Sequence, residues 1–170
     1  MTSRTVLQLA LFFLPMLAEA WLAARNEREQ RARGGIEPPG DVYRVMRIAY
    51  PAAFAAMIAE GAWDSSHGWW LGGLALFAAA KGLKWWAIAA LGPAWTFRVI
   101  VRPAVPLVIT GPYRFVRHPN YVGVAGELVG VALMTGARIF GPLMTLMFCG
   151  LMLKRIAVED RALELVRRES

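Results

Sequence analysis

The feature that most constrains this chain is a stretch of about 20 mostly Leu, Ala and Phe residues, Thr5 to Ala24, long enough to span a hydrocarbon core. Further apolar stretches follow at Ile48 to Ala62, Trp69 to Leu91, Val122 to Thr135 and Phe140 to Leu153. The last two are split by Gly136-Ala137-Arg138 and read as a helical hairpin that spans only if flanking residues are recruited. The first run is too long for a signal peptide, and no convincing small-residue cleavage site precedes the arginines after it. Of 170 residues, 57% are hydrophobic, and the mean hydropathy is +0.42. That composition excludes an ordinary soluble domain and leaves no room for a separate soluble catalytic one.

Between the apolar runs lie the charges. Arg25 to Arg47 reads as a polar hairpin, partly helical and interfacial, turning at Pro38-Pro39-Gly40. Residues 63–68 form a short loop without Lys or Arg, and Gly92 to Tyr121 is a second polar connection. Lys154 to Ser170 reads as a charged amphipathic helix, with Leu163 and Val166 apolar among Arg161, Glu164, Arg167 and Arg168. Trp69, Trp70, Trp85 and Trp86 suit an aromatic belt. Of 19 Lys and Arg, 15 fall in the hairpin, the second connection and the tail. With five spans these three regions share one side, and the positive-inside rule makes that side cytoplasmic and the amino terminus external. The net charge of +7 is then an orientation and lipid signal; no aromatic-basic interleaving points to nucleic acid. The expected fold is all-α, an integral-membrane helical bundle of about five transmembrane helices with an interfacial hairpin and a C-terminal amphipathic helix. Within this single membrane domain, residues 1–91 would form a three-helix scaffold and residues 92–170 a catalytic, cofactor-binding half.

One polar stretch stands out. Gly111 to Gly123 holds Arg114, Arg117, His118, Tyr113 and Tyr121, with Pro112 and Pro119 stiffening the backbone into a shaped loop. Composition alone also allows a plain connector whose arginines meet lipid headgroups. Glu19, Lys81, Lys84 and Glu127 lie in or near spans, where each charge costs at least about 2.5–3.5 kcal/mol on insertion scales. Glu127 could reach a ligand bound at the loop or pair with a lysine of the third helix, while Glu19 with Lys81 or Lys84 reads as a structural pair. Gly126 and Gly130 form a GxxxG pair suited to close helix contact. After the last span, Arg155 and Glu159 share a helix face, with Asp160 beside them. Cys149 reads as a buried small hydrophobe. Two histidines and one cysteine, widely separated, make no metal site.

The block PLVITGPYRFVRHPNYVG, together with RNERE, RARGGIE, WTFRVIV and the terminal RIAVEDRAL, resembles the isoprenylcysteine carboxyl methyltransferase family of integral-membrane enzymes over most of the chain. The family's usual Glu-Glu pair reads Glu159-Asp160 here, a shorter reach at the second position. The resemblance implies methyl transfer from S-adenosylmethionine, with S-adenosylhomocysteine as product, to a carboxylate or hydroxyl oxygen of a lipophilic acceptor. It implies cofactor contacts from Val105, Pro106, Leu107, Val108, Tyr113, His118, Pro119, Asn120, Tyr121 and Glu159. It implies that Arg155 meets the substrate carboxylate; Arg155, Arg117 and His118 are the candidate catalytic residues, and Glu127, by its position, joins Arg155 as a candidate for acceptor binding. A carboxylate acceptor needs no base; a phenol or enol would, with His118 or Glu159 as candidates. No GxGxxG fingerprint supports a Rossmann-type domain.

Two other readings compete. Membrane sterol reductases, which use a nicotinamide cofactor, carry a similar RHPNYxG block but are longer. A non-catalytic lipid-binding protein would not need intramembrane charges beside an intact motif. The short chain and minimal loops favour a prokaryotic cell membrane, with a long-chain polyketide phenol or pyrone, or a prenylated thiol acid, as acceptor.

Overall fold

The computed structural model describes residues 3–64, 68–102 and 108–169. Five α-helices make up the fold: α1 (Ser3–Ala32), α2 (Tyr43–Trp63), α3 (Trp70–Leu91), α4 (Pro119–Thr135) and α5 (Phe140–Glu169). Short 3-10 turns occupy Gly92–Ala94 and Gly111–Arg114, and no strand appears among the described residues. Thr5–Ala32, Trp70–Ala94 and Phe140–Ala162 are long and apolar enough to cross a membrane. Leu14, Leu17, Leu71, Leu146 and Leu153 face outward. The chain is a helical membrane protein.

Helix boundaries differ from the sequence expectation at α1, α2 and α5, and again at the start of α4. α1 runs past Ala24 to Ala32, because Glu27–Arg31 and Glu29–Arg33 ion pairs at i,i+4 support the polar turns. α2 starts at Tyr43, five residues before the apolar run, so the hairpin between them is shorter than Arg25 to Arg47. α5 does not break at Lys154; the expected span and charged tail are one helix. The side chains of Leu163, Val166, Arg167 and Arg168 lie outside the described residues.

Packing centres on α3 against α4. A Cβ on Gly130 would lie 2.8 Å from the Phe77 nitrogen, and one on Gly126 would lie 2.8 Å from the Ala80 Cβ. The glycines therefore bring the two backbones together, as small residues do in membranes. α4 ends on left-handed Gly136 (φ 71°), whose N–H donates to the Ala132 carbonyl. Glu60 of α2 accepts from the Ile139 and Phe140 amides at 2.8 and 2.7 Å, satisfying orphan donors at the start of α5. Phe12, Phe54 and Phe77 meet edge to face in the core.

Inside that core lies a charge cluster. Lys81 Nζ contacts Glu19 (2.9 Å) and Glu127 (2.8 Å); Lys84 Nζ contacts Glu19 (2.6 Å) and Glu127 (3.5 Å). Tyr50 on α2 donates to Glu127. Glu19, Glu127 and Lys84 are essentially inaccessible. Two cations against two anions offset the cost of burying each. The close-packed glycines give a direct test. Gly130→Ala should lower the thermal midpoint in detergent, with a cost of about 1–3 kcal/mol from overpacking. Gly82→Ala, where a Cβ meets nothing within 4 Å, should leave the midpoint unchanged or raise it. Equal effects from the two substitutions would refute the packing account.

Candidate functional site

The site assembles where the two polar connections meet the first turn of α4 and the second half of α5. Asn26 and Gln30 at the end of α1 donate to carbonyls of the second connection: Asn26 to Trp95 at 2.8 Å, Gln30 to Pro93 at 2.7 Å. Ile36 and Val101 exchange two backbone hydrogen bonds of 2.9 Å in an isolated antiparallel bridge. Arg98 binds Glu37 (2.7 Å) and Glu27 (2.9 Å) and stacks over Tyr43 at 4.8 Å. The hairpin is thereby stapled to the segment leading into the Gly111–Gly123 stretch.

That stretch is a loop only as far as His118. Pro119 occupies the first helical position, where a missing N–H costs nothing, so Pro119-Asn120-Tyr121 forms the first turn of α4. His118 and Tyr121 then sit on one rim, their rings 5.6 Å apart. Tyr121 donates to Glu159 Oε2 at 3.1 Å. His118 Nδ1 lies 3.9 Å from Glu159 Oε2, and Nε2 lies 3.5 Å from Asp160 Oδ1. Arg117, largely exposed, reaches Asp160 at 3.4 Å. Burial, then the Glu159 charge, raises the Tyr113 phenol well above its ordinary range; the same two causes raise Tyr121 at the mouth of α4. Both phenols stay protonated, and Tyr121 serves as a donor to Glu159.

Arg155, one helical turn before Glu159, pairs with Asp41 of the hairpin (3.7 Å) rather than with Glu159. Three buried polar atoms at this junction have no hydrogen-bond partner: His118 Nε2, Asn120 Oδ1 and Arg155 Nε. Native interiors rarely leave such groups unpaired without a reason.

The structure brings Tyr113, His118, Asn120, Tyr121, Arg155, Glu159 and Asp160 together where the start of α4 meets the second half of α5. Pro119 is buried beneath them, and Val108 lies in irregular backbone ahead of the Gly111 turn. Val105, Pro106 and Leu107 fall outside the described residues. Glu127 sits two turns deeper with no access to the surface, its carboxylate engaged by Lys81, Lys84 and Tyr50. Of its two readings, pairing with the third helix is the one the contacts display. Sequence reasoning missed Asp41, Glu37, Asn26 and Gln30. The one signal available was a carboxylate placed directly after Pro38-Pro39-Gly40, where an Asx turn would start α2.

Fold and site together define a helical membrane protein with a cluster of polar and aromatic side chains where the first turn of α4 meets α5. The chain belongs to the isoprenylcysteine carboxyl methyltransferase (ICMT) family, whose pattern matches residues 73–165. It is a family of membrane methyltransferases whose members use S-adenosylmethionine. The chain is 31% identical to YpbQ of Bacillus subtilis (strain 168) over 160 residues, 93% of this chain and 95% of that protein. It is 26% identical over 123 residues to a Haemophilus influenzae protein, 69% of this chain and 70% of that one. Both relatives are named only as uncharacterized proteins. No solved structure matches.

The hairpin staple is pH-sensitive in a definite direction. Burial would raise the Glu37 carboxyl, but hydrogen bonds and charges from Arg31 and Arg98 hold it below its ordinary value of 4.5. A depressed carboxylate stabilises the folded state above its unfolded value, and that stabilisation is lost as pH falls through the folded value. Intrinsic-rate-corrected exchange of the Ile36 and Val101 amides should therefore accelerate as pH drops below 4.5. Glu37→Gln should show faster exchange at neutral pH with little further change on acidification; an unaltered pH profile would count against the staple.

Proposed function

We propose that this chain transfers a methyl group from S-adenosylmethionine to a carboxylate or hydroxyl oxygen of a lipophilic acceptor. The observation that carries the reading is the cluster of orphaned buried polar atoms, His118 Nε2, Asn120 Oδ1 and Arg155 Nε, beside a Tyr121–Glu159 hydrogen bond. Donors, acceptors and aromatic rings in one half-buried place suit a zwitterionic, aromatic cofactor, so the residues fit the group. Tyr113, His118, Pro119, Asn120, Tyr121 and Glu159, with the stretch Val105 to Val108, would hold it. When bound, S-adenosylmethionine supplies an electrophilic methyl on a sulfonium that is already a good leaving group.

The chain's task is then alignment and charge placement. Tyr121 fixes the Glu159 carboxylate, leaving it able to accept from hydroxyl or amino groups. Arg155 would steer an anionic acceptor oxygen, and Arg117, through Asp160, would steady the His118 side of the pocket. A carboxylate acceptor would need no proton removed; a phenol or enol would lose its proton to His118 or Glu159. Glu127, held by lysines, would act on the acceptor only through the helix it anchors. We further propose five spans in a prokaryotic cell membrane, with the site cytoplasmic and the amino terminus outside. Residues 92–170 would carry most of the pocket on a scaffold of residues 1–91, and the acceptor would be a prenylated thiol acid or a long-chain polyketide phenol or pyrone.

Calorimetric binding of S-adenosylhomocysteine to the detergent-purified protein tests the reading. Glu159→Gln and His118→Ala should each weaken binding about tenfold or more, or about 1.4 kcal/mol. A well-folded wild type that fails to bind would overturn it and turn attention to nicotinamide cofactors.

A further inference from the structure

The hairpin carboxylate Asp41 is buried between the two polar connections. Its side chain is 4% exposed. Oδ2 accepts from the Val99 amide at 2.9 Å, and Oδ1 accepts from the Tyr43 amide at 3.0 Å. Both oxygens are therefore fixed by backbone from two different connections, whatever Arg155 does. Gly40, the residue before it, approaches Val158 on α5, next to Glu159. The hairpin tip thus rests on the helix that carries the pocket.

Arg155 meets this fixed charge loosely. Its side chain is 9% exposed, and Nη1 stands 3.7 Å from Asp41 Oδ1, beyond hydrogen-bonding distance. Nε is buried with no partner. A guanidinium satisfied by its own carboxylate would form a close, bidentate pair and have few donors left. Here the attraction offsets the cost of a buried cation, Tyr121 also bonds the guanidinium, and Nε–H stays unspent. The lone pairs of Asp41 are already shared with two amides, which limits its pull on the guanidinium.

We propose that Asp41 is the positioning residue of an oxyanion site: it anchors one end of the Arg155 guanidinium so that Nε–H is presented to a carboxylate. The inference rests on the methyltransferase reading for the identity of that carboxylate, which is either the amino-acid end of the cofactor or the head of the acceptor. Both present the same chemistry to Arg155. The consequence is that a residue of the first polar connection sets anion affinity in a pocket otherwise built from the second half of the chain.

The Arg155 Nε–H resonance, assigned by its loss in Arg155→Lys, reports the site directly in detergent-solubilised protein. It should shift on adding S-adenosylhomocysteine if the cofactor supplies the carboxylate, and methylthioadenosine, which lacks the amino-acid end, should then leave it unmoved. It should shift on adding dodecanoate to the S-adenosylhomocysteine complex if the acceptor supplies it. In Asp41→Asn, which keeps an oxygen for the Tyr43 amide, the active ligand should bind about tenfold more weakly, the scale of a charge-assisted hydrogen bond. Asp41→Glu should recover part of that loss. A wild type that binds S-adenosylhomocysteine yet shows no Nε–H shift with either carboxylate overturns the proposal without touching the methyltransferase reading. Asp41→Asn binding as tightly as wild type overturns it too. Failure to bind S-adenosylhomocysteine, with a shift on dodecanoate alone, would sink the cofactor assignment and leave the oxyanion site standing.

Discussion

Four charges buried between α1, α3 and α4 hold the arrangement on which the rest depends. Glu19, Lys81, Lys84 and Glu127 form a closed exchange in which each lysine faces both carboxylates. Hydrophobic contact alone is weakly directional in a membrane, since lipid tails are as apolar as leucine. Ion pairs are not so tolerant. Sliding α4 by one turn would carry Glu127 about 5.4 Å from its lysines and leave uncompensated charge in the core. The glycine-lined seam of α3 and α4 then sets the distance, the charges set the register, and the first turn of α4 arrives with His118 and Tyr121 at a fixed height.

The other half of the site's geometry comes from the connections. Segments that would otherwise be free at the interface are tied by the Ile36–Val101 bridge, by Arg98 between Glu27 and Glu37, and by Asn26 and Gln30 holding carbonyls at 92–95. Each tie joins residues more than 60 positions apart. Residues before Leu91 therefore supply Asn26, Gln30, Glu37 and Asp41 to the same junction as residues of the second half of the chain.

Legibility followed the range of the interactions. Helical character, apolar spans and the glycine pair were readable because they rest on composition and on spacings of three or four residues. The Glu19–lysine pairing was readable because an intramembrane charge must find a partner. Boundaries were less so: Arg25 to Ala32 looks like a break in hydropathy, but local ion pairs make it helix, and Lys154 marks a change of environment within α5, not an end. Proline by type suggests a loop, yet Pro119 at a first helical position starts α4. Asp41 and Glu37 were invisible, since their partners Arg155, Val99 and Arg98 lie in distant sequence and carry no periodic signal.

Under the proposed methyl transfer, the continuity of α5 bears on the kind of acceptor. Phe148 and Met152 belong to the buried core, and the same unbroken helix presents Arg155 and Glu159. At 1.5 Å per residue these lie only about 4.5 and 10.5 Å along the axis from Met152. A molecule whose chain lies in lipid beside Leu146 and Leu153, both exposed, would have its head between about half a turn and two and a half turns from the Arg155 guanidinium. A fully water-soluble acceptor would gain nothing from that proximity. An amphiphile would, because burial of its tail supplies affinity that the polar end of the pocket can then reserve for orientation.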